Sequence, residues 1–338
     1  MTATLRRHWF LVTLLILIPL GAGCGLALGD SICRYSRTVE PRWITAVALF
    51  LMSFTLDSSQ LRRSLESPWP VILATTINSG ILPLLALAIA PFQLVADFRY
   101  GLMIAASVPC TMAAASVWTR QAGGNDAVSL LVTLVTNGTC VLVSPFWLRL
   151  GTGEDVELEF SQMTLRLLGA VLIPGLLGQL LRLNVRAREF AINRKPGISI
   201  AALVCILFLV FASSCDCGVQ LQTDQPGPSL AAVAVVWGCC IALHLSAMLI
   251  AEFVIRATHV SDFDRPAVLF ASSQKTLPIG VLLAREIGTA AGVPFAVFPM
   301  LMFHATQLVI DTAIANRLRK SRDSKPDAPN RSPDPHRG

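Results

Sequence analysis

One lysine lies in the middle of a strongly apolar stretch. The chain has four lysines, and the other three lie in a polar connection or near the C-terminus: Lys195, Lys320 and Lys325. Lys275 instead lies about nine residues after Pro266 and is followed by the apolar residues 279–284. A charge at mid-depth in a membrane costs about 2.5–3.5 kcal/mol on insertion scales, so it usually has a task. Lys275 is therefore the first candidate site residue, and a snorkelling lysine at a helix end is the alternative.

Neutral oxygen donors also occur inside apolar stretches. They are Asn78, Ser116, Ser129, Thr133, Gln274 and Thr276. Such groups suit a sodium ion or a hydrogen-bonded solute. The spacing of Ser129 and Thr133 predicts one helix face, as does that of His304 and Gln307. The alternative for each is interhelical hydrogen bonding, which contributes about 0.6 kcal/mol in membranes.

Two prolines interrupt apolar stretches beside these polar residues. Pro109 lies among Ser107, Cys110 and Thr111, and Pro278 follows the run from Ser272 to Thr276. Proline removes a backbone donor and clashes with the preceding helical turn, so both positions are predicted helix breaks. Broken helices near the bilayer middle are typical of transport sites.

The composition indicates the elements that must position these residues. Hydrophobic residues make up 54% of the 338 residues and charged residues only 14%, and the mean hydropathy is +0.62. Too few polar side chains remain to cover a soluble surface. The sequence predicts an all-α polytopic membrane protein. It contains no signature of an enzyme, a metal site or a nucleic-acid-binding domain, and no cofactor is expected apart from Na⁺ or H⁺ as the candidate coupling ion.

A membrane span needs about 20 mostly apolar residues. Ten spans are predicted, at residues 9–28, 43–56, 69–90, 100–120, 126–148, 163–182, 198–214, 229–255, 266–288 and 293–314. The transporter domain would cover residues 1–316. The polar residues 317–338 are predicted to form a disordered cytoplasmic tail.

The distribution of basic residues predicts which side of the membrane each connecting segment faces. With both termini in the cytoplasm, 19 Lys and Arg residues fall on the cytoplasmic side and 7 on the other side. This asymmetry follows the positive-inside rule. The expected location is the cell membrane, with a lipid bilayer around the protein.

Ten spans divide into two halves of five, which must be inverted relative to each other. A weak internal repeat supports two such halves. Leu17-Ile18-Pro19 and Leu172-Ile173-Pro174 each have a glycine four residues after the proline. The two proline breaks also occupy corresponding places, in the fourth and ninth spans.

Several segments resemble one transporter family. They are Phe50 to Leu56, Leu61-Arg62-Arg63-Ser64-Leu65, Ala122-Gly123-Gly124-Asn125-Asp126-Ala127, Phe270 to Gly280, and the pair His304 and Gln307. They are similar to the bile acid:sodium symporter superfamily, in its SBF-like branch with the sodium/bile acid cotransporter 7-type proteins. The resemblance covers about residues 5–320, and its ninth-span motif is the most specific part.

This resemblance implies a panel domain of spans 1, 2, 6 and 7 and a core domain of spans 3–5 and 8–10, with spans 4 and 9 crossing in the core. It also implies that five residues stand at ion-binding positions: Asn78, Ser116, Ser129, Thr133 and Gln274. The family's ninth-span glutamate is replaced by Phe270 or Ala271, and Lys275 stands where asparagine is usual. Sodium coupling is therefore not expected.

The function predicted is secondary transport of a small solute, expected to be an anion, by alternating access. Half-helices beginning near Thr111 and Ile279 would direct positive ends at the crossing. Lys275 would act as a counter-ion to the substrate or as a built-in replacement for a bound cation. A cation/proton antiporter is an alternative, ranked lower because the acidic residues Asp57, Glu252 and Asp311 lie near predicted span ends. A non-transporting membrane regulator of ion signalling is another. The sequence indicates no oligomeric state.

Overall fold

The computed structural model describes residues 9–29, 40–57, 68–152, 160–222 and 227–323. Within these ranges all the regular secondary structure is helical, without strands. The helices are α1 (Trp9–Leu28), α2 (Pro41–Thr55), α3 (Pro68–Thr76, a π-helical turn Ile77–Ile81 and Leu82–Ile89), α4 (Ala96–Ser107), α5 (Ala114–Gln121), α6 (Asp126–Thr152), α7 (Phe160–Leu167, a π-helical turn Leu168–Leu172 and Ile173–Leu181), α8 (Val185–Asn193), α9 (Lys195–Gln220), α10 (Leu230–Ala257), α11 (Arg265–Ser273), α12 (Leu277–Ala291) and α13 (Val297–Asp323). Short 3₁₀ turns follow α3 at Ala90–Phe92 and precede α13 at Pro294–Ala296.

The fold is that of a polytopic membrane protein. Seven helical stretches are long and apolar enough to cross a membrane, and α1 and α2 add two shorter apolar helices. Every predicted span coincides with a helix or a pair of helices. Large apolar side chains remain exposed along the helices, such as Ile16, Leu142 and Phe253. In a bilayer this surface faces lipid.

Two stretches leave helical geometry in mid-span. α4 ends at Ser107 and α5 begins at Ala114, so residues 108–113 form the first break. Residues 274–276 form the second break, between α11 and α12. Pro278 lies in the first turn of α12, where no backbone donor is required. The breaks lie deep in the protein, since residues 108–112 and the continuous stretch 266–284 are buried.

The helices pack in two sets. In the first set, α9 packs against α1 and α2, and α7 packs against α2. In the second set, α11 packs against α3, α5, α6 and α10, and α13 packs against α4, α10 and α12. The breaks therefore lie within the second set. Contacts between α9 and α12 and between α2 and α12 join the sets.

Small residues permit the closest contact of the first set. A Cβ atom at Gly218 of α9 would overlap the carbonyl oxygen of Ala22, and one at Gly25 of α1 would overlap that of Cys215. Glycine at these positions lets the two backbones touch, as is common for membrane helices.

The structure corrects the predicted C-terminal boundary. Residues 317–323 belong to α13, which continues to Asp323, so the prediction of a disordered tail beginning at residue 317 is wrong for these seven residues. Residues 324–338 lie outside the described part of the chain, as do the family-like residues 61–65. α8 was not predicted. It begins at Asn184, whose side-chain oxygen accepts hydrogen bonds from the backbone of Arg186 and Ala187.

Candidate functional site

The two helix breaks meet. The backbone amide of Thr276 donates to the carbonyl of Pro109 at 2.9 Å. The hydroxyl of Thr111 donates to Oε1 of Gln274 at 2.7 Å. Both bonds are buried, and they join residues more than 160 positions apart. Most of the polar side chains that the sequence singled out lie at this crossing, and Ser116 and Ser129 lie farther away.

Lys275 lies at the centre of the crossing and is fully buried. Its ammonium group donates to the carbonyl of Asn78 at 2.7 Å, to the carbonyl of Val108 at 2.8 Å and to Oδ1 of Asn78 at 3.1 Å. No ion pair to Lys275 occurs among the described residues. The charge is therefore held by neutral oxygens, and a snorkelling position at a helix end is wrong for this residue.

Two backbone distortions supply the carbonyl groups that hold Lys275. α4 ends before Val108, which frees its carbonyl from helical bonding. Asn78 lies in the π-helical turn of α3, where the amide of Leu82 bonds to Ile77 instead of Asn78. The next residue, Pro83, has no amide to offer. The carbonyl of Asn78 is thus left for the lysine, consistent with the frequent use of π-bulges at functional sites.

The amide side chain of Asn78 also holds the backbone of the second break. Its Nδ2 donates to the carbonyls of Ala271 at 2.9 Å, Ser272 at 3.3 Å and Gln274 at 2.9 Å. These carbonyls end α11 and have lost their helical partners. One asparagine therefore binds both the ammonium of Lys275 and the backbone that carries it.

His304 and Gln307 hold the backbone of Lys275. Gln307 accepts from the amide of Lys275 and donates to its carbonyl, both at 2.9 Å. Its Nε2 also contacts Nδ1 of His304 at 2.7 Å. Since an amide nitrogen only donates, Nδ1 of His304 accepts and the ring proton lies on Nε2.

Three predicted hydroxyl residues, Thr133, Ser129 and Ser116, lie at different distances from the crossing. Thr133 contacts it directly, because its hydroxyl lies 3.1 Å from the carbonyl of Thr111. Ser129 is one turn away and shares a hydrogen bond of 2.6 Å with Thr119. Ser116 lines a cavity, and its one bond to the described residues goes to the carbonyl of Ala113. Thr276 joins the crossing through its backbone amide, which bonds to the carbonyl of Pro109. Ser129 and Ser116 thus do not touch Lys275.

A buried acid beside the crossing was not among the predicted site residues. Asp311 is fully buried, and its Oδ2 accepts from Nε2 of Gln274 at 2.6 Å. Its Oδ1 lies 3.0 Å from Nε2 of His244, which is also fully buried. Asp311 was placed near a span end because the tenth span was predicted to stop at residue 314. Since α13 continues to Asp323, Asp311 lies in the helix interior.

The partners of Lys275 are not its neighbours in the sequence. Its ammonium group bonds to Asn78 and Val108 and not to Gln274, Thr276 or His304. Gln274 bonds to Asp311 and Thr111 instead. An extended lysine side chain reaches past its own neighbours, so sequence proximity did not identify its partners.

A cavity leads to the crossing from one end of the molecule. It has a volume of about 660 Å³ and lies between the two helix sets. Its polar walls carry three basic and two acidic residues: Arg120, Lys195, Arg319, Asp57 and Asp126. Arg120 pairs with Asp126 at 3.2 Å.

An apolar pocket of about 170 Å³ continues this cavity to the breaks. It shares five wall residues with the larger cavity: Met52, Met112, Ala113, Val117 and Leu203. Its inner wall consists of Thr111, Thr276, Pro278 and His304. Lys275 is not among the wall residues of either cavity.

A further cavity of about 710 Å³ lies at the opposite end of α9. Gln220, near the end of α9, is part of its wall, whereas Lys195, at the start of α9, lines the first cavity. Arg285 and Asp216 form an ion pair of 2.8 Å in its wall. The boundary between the helix sets is therefore hollow at both ends.

Comparisons with known proteins identify a family of transporters. A family model described as the SBF-like CPA transporter family matches residues 8–320. The "Probable sodium/metabolite cotransporter BASS4, chloroplastic" of Arabidopsis thaliana is 29% identical over 90% of this chain and 72% of its own length. The sodium/bile acid cotransporter 7 of Danio rerio is 21% identical over 92% of this chain and 94% of its own. The sodium/bile acid cotransporter 7-B of Xenopus laevis is 20% identical over 93% and 92%.

Proposed function

Because the chain belongs to the SBF-like CPA transporter family, we propose that it moves a small organic anion across the cell membrane by alternating access. It is a multi-pass membrane protein and a secondary transporter of the bile acid:sodium symporter type. Its ten spans would form two inverted repeats of five. α1, α2, α7 and α9 would form the panel domain, and the second helix set would form the core domain.

The observation that carries this proposal is a pair of adjoining cavities, the inner of which reaches the crossing. The cavity of about 660 Å³ and the apolar pocket share five wall residues, and the pocket ends on Thr111 and Thr276. A second cavity lies at the opposite end of α9. Sliding of the core set against the panel set would open one cavity and close the other around a fixed site.

An anion fits the electrostatics of this path. α5 and α12 begin at the two breaks, and their first turns form part of the pocket wall. The positive end of a helix dipole favours an anion. Independently, Arg120, Lys195 and Arg319 line the outer cavity. The apolar pocket would receive the hydrocarbon part of the solute.

Lys275 is better placed as a built-in cation than as a substrate counter-ion. Its ammonium group is fully buried, is saturated by three oxygen atoms and lies outside the walls of the pocket. It occupies the interior of the crossing permanently. A sodium ion at the same place would be repelled at low dielectric. The proposed transport is therefore independent of sodium.

Uptake into proteoliposomes tests the proposal. Labelled organic anions, including a bile acid, a 2-oxo acid and a dicarboxylate, would be supplied with an inward sodium gradient, an inward proton gradient or no gradient. Uptake of at least one anion above empty liposomes supports the proposal. Failure of all the anions, with the protein correctly inserted, would contradict it.

A cation/proton antiporter remains the second candidate, because Asp311 places a carboxylate at the crossing. It is ranked lower because Asp311 lines none of the three cavities described above, so a hydrated metal cation would not reach its carboxylate directly, whereas a proton can move along the hydrogen bonds that join Asp311 to the pocket wall. Flux of labelled sodium or rubidium against a proton gradient would favour this function over anion transport. Absence of any solute or cation flux would favour the non-transporting regulator.

A further inference from the structure

The proposed function does not use one buried ionisable pair, His244 of α10 and Asp311 of α13. Both side chains are fully buried, and Nε2 of His244 lies 3.0 Å from Oδ1 of Asp311. The two helices belong to the set that contains the breaks. Burying an acid and an imidazole away from water costs free energy unless the two groups are hydrogen-bonded or neutralise each other.

Hydrogen-bond chemistry determines the protonation of this pair. Nδ1 of His244 lies 3.3 Å from the carbonyl oxygen of Ser273, which can only accept, so Nδ1 carries a proton. The contact between Nε2 and Oδ1 requires another proton, held by either atom. Without it, two lone pairs would face each other at 3.0 Å in a buried site. The arrangement is therefore that of a pair with one shared proton bound.

The pair is connected to the crossing by direct bonds. Oδ2 of Asp311 accepts from Gln274, and Oε1 of Gln274 accepts from the hydroxyl of Thr111. Thr111 forms part of the wall of the apolar pocket. Loss of the shared proton would leave a negative pair in a buried site and force Asp311 or His244 to move. That movement would alter the contacts of Gln274 at the point where the two breaks are joined.

The remaining charged and titratable groups do not neutralise the pair directly. Cys110 interacts electrostatically with both Asp311 and Lys275, and Cys240 lies one turn before His244. His304, on α13 itself, is bonded to Gln307. Other charged side chains, on α10 itself and on the helices packed against α10 and α13, have partners of their own: Glu252 on α10, and Asp97, Arg99, Arg120, Arg265, Arg285 and Glu286 on the neighbouring helices.

We propose that His244 and Asp311 form the binding site for the coupled proton, so that this transporter is driven by a proton gradient. The inference rests on the proposed function and deepens it by assigning the coupling ion. A proton from one side would bind between Nε2 of His244 and Oδ1 of Asp311. It would leave to the other side after the core set has moved.

Asp311→Asn is the central variant. An asparagine can donate to Nε2 of His244 and accept from Gln274, so it imitates the proton-loaded state without a removable proton. The packing is preserved, and the variant is expected to fold. His244→Gln removes the imidazole ring, the other partner of the pair. Glu252→Gln is the matched control, because Glu252 is a carboxylate on α10 that pairs with Arg256 and Arg265 away from the crossing.

Uptake of the anion found in the screen would be measured in sodium-free proteoliposomes with the membrane potential clamped. One proton per anion allows about tenfold accumulation for a gradient of about one pH unit, because one pH unit is tenfold in proton activity. The parent and Glu252→Gln should show this accumulation. Asp311→Asn and His244→Gln should lose it, and their exchange of labelled for unlabelled solute should no longer vary with pH. Accumulation by Asp311→Asn equal to that of the parent would overturn the proposal.

A second measurement keeps the inference testable if no anion is transported. Infrared difference spectra of the purified protein between acidic and alkaline buffer would show carboxyl and imidazole bands that titrate. Loss of such a band in Asp311→Asn, but not in Glu252→Gln, supports the proton site even where the substrate proposal has failed. Identical spectra for the parent and Asp311→Asn would overturn it. Unfolding temperatures of the variants identify any loss that comes from misfolding.

Discussion

At the scale of residues, the environment of Lys275 is made of neutral oxygen atoms. Three of them lie 2.7–3.1 Å from its ammonium group, from Asn78 and Val108. This resembles the coordination of a small cation by carbonyl groups. The difference is that the ammonium group is covalently attached to the chain and cannot leave the site. Lys275 therefore joins α3, α4 and the second break permanently.

Replacement of Lys275 by Ala is expected to abolish transport. It would leave the carbonyls of Asn78 and Val108 without their donor, and each buried unsatisfied group costs about 1–3 kcal/mol. Lys275→Arg keeps the charge but introduces a planar fork that three converging oxygens do not match, so partial or complete loss is expected. Proteoliposome uptake and the melting temperature of each variant are the measurements.

Lys320→Ala is the control for this pair of variants, because Lys320 lies in the last turn of α13, far from the crossing. It should transport at the parent rate. If Lys275→Ala and Lys275→Arg also transport at the parent rate, the crossing does not depend on this lysine and the assigned site is wrong.

At the scale of elements, the π-helical turn of α3 prepares the carbonyl of Asn78. Its helical donor would be the amide of Leu82, which bonds to Ile77, and Pro83 has no amide. Pro83→Ala is expected to lower uptake and the melting temperature, because a new amide competes with Lys275 for the carbonyl. A hydrogen bond to a charged group contributes about 1.5–3 kcal/mol, which sets the scale of the loss.

Pro70→Ala on the same helix is the matched control. Pro70 lies in the first turn of α3, where an amide has no helical partner, so this change should have little effect. Equal melting temperatures and uptake for Pro83→Ala and the parent would show that the turn does not depend on the proline.

The close contact of α1 with α9 gives a second prediction for elements. Gly218→Ala places a Cβ atom against the backbone of Ala22, which cannot rotate away. We expect a destabilisation of roughly 1–3 kcal/mol from overpacking, seen as a lower melting temperature in detergent. Gly238→Ala on α10 is the control, since nothing lies within 4 Å of a Cβ atom there. A melting temperature unchanged by Gly218→Ala would contradict the packing of α1 on α9.

At the scale of the whole molecule, transport should not require sodium. Replacing sodium by choline on both sides of the membrane should leave anion uptake unchanged, because Lys275 already provides the positive charge of the crossing. Uptake would be followed over a range of sodium concentrations. A steep sodium dependence with a Hill coefficient near two would contradict this prediction and indicate sodium symport.

Orientation is the other prediction at this scale. α9 has 26 residues and is about 39 Å long at 1.5 Å per residue, enough to cross the bilayer. Cysteines introduced at Glu189, before α9, and at Leu221, after it, should therefore label from opposite sides. We expect Glu189→Cys to be cytoplasmic and Leu221→Cys external, as measured with an impermeant thiol reagent in intact cells. Labelling of Glu189→Cys from outside would invert the proposed topology.

Much of the architecture could be predicted from the sequence of the chain alone. Long apolar runs must be membrane helices, since backbone groups in lipid can be satisfied only within helices or closed barrels. Pro109 and the polar run before Pro278 marked both helix breaks, because proline cannot continue the helical bonding. Lys275 was identified for a similarly local reason, the cost of one charge in an apolar segment. Each of these conclusions needs only a residue and its immediate neighbours.

The partners of these residues were decided by tertiary structure. Asn78 and Lys275 are 197 positions apart, and the carbonyl that Asn78 offers depends on a π-helical turn. Asp311 became a site residue only when α13 continued to Asp323, and His244 only when α10 packed beside it. The physical reason is that hydropathy and proline act along the chain over one or two turns. A hydrogen bond between buried side chains depends instead on the relative positions of whole helices, which the packing of all of them together determines.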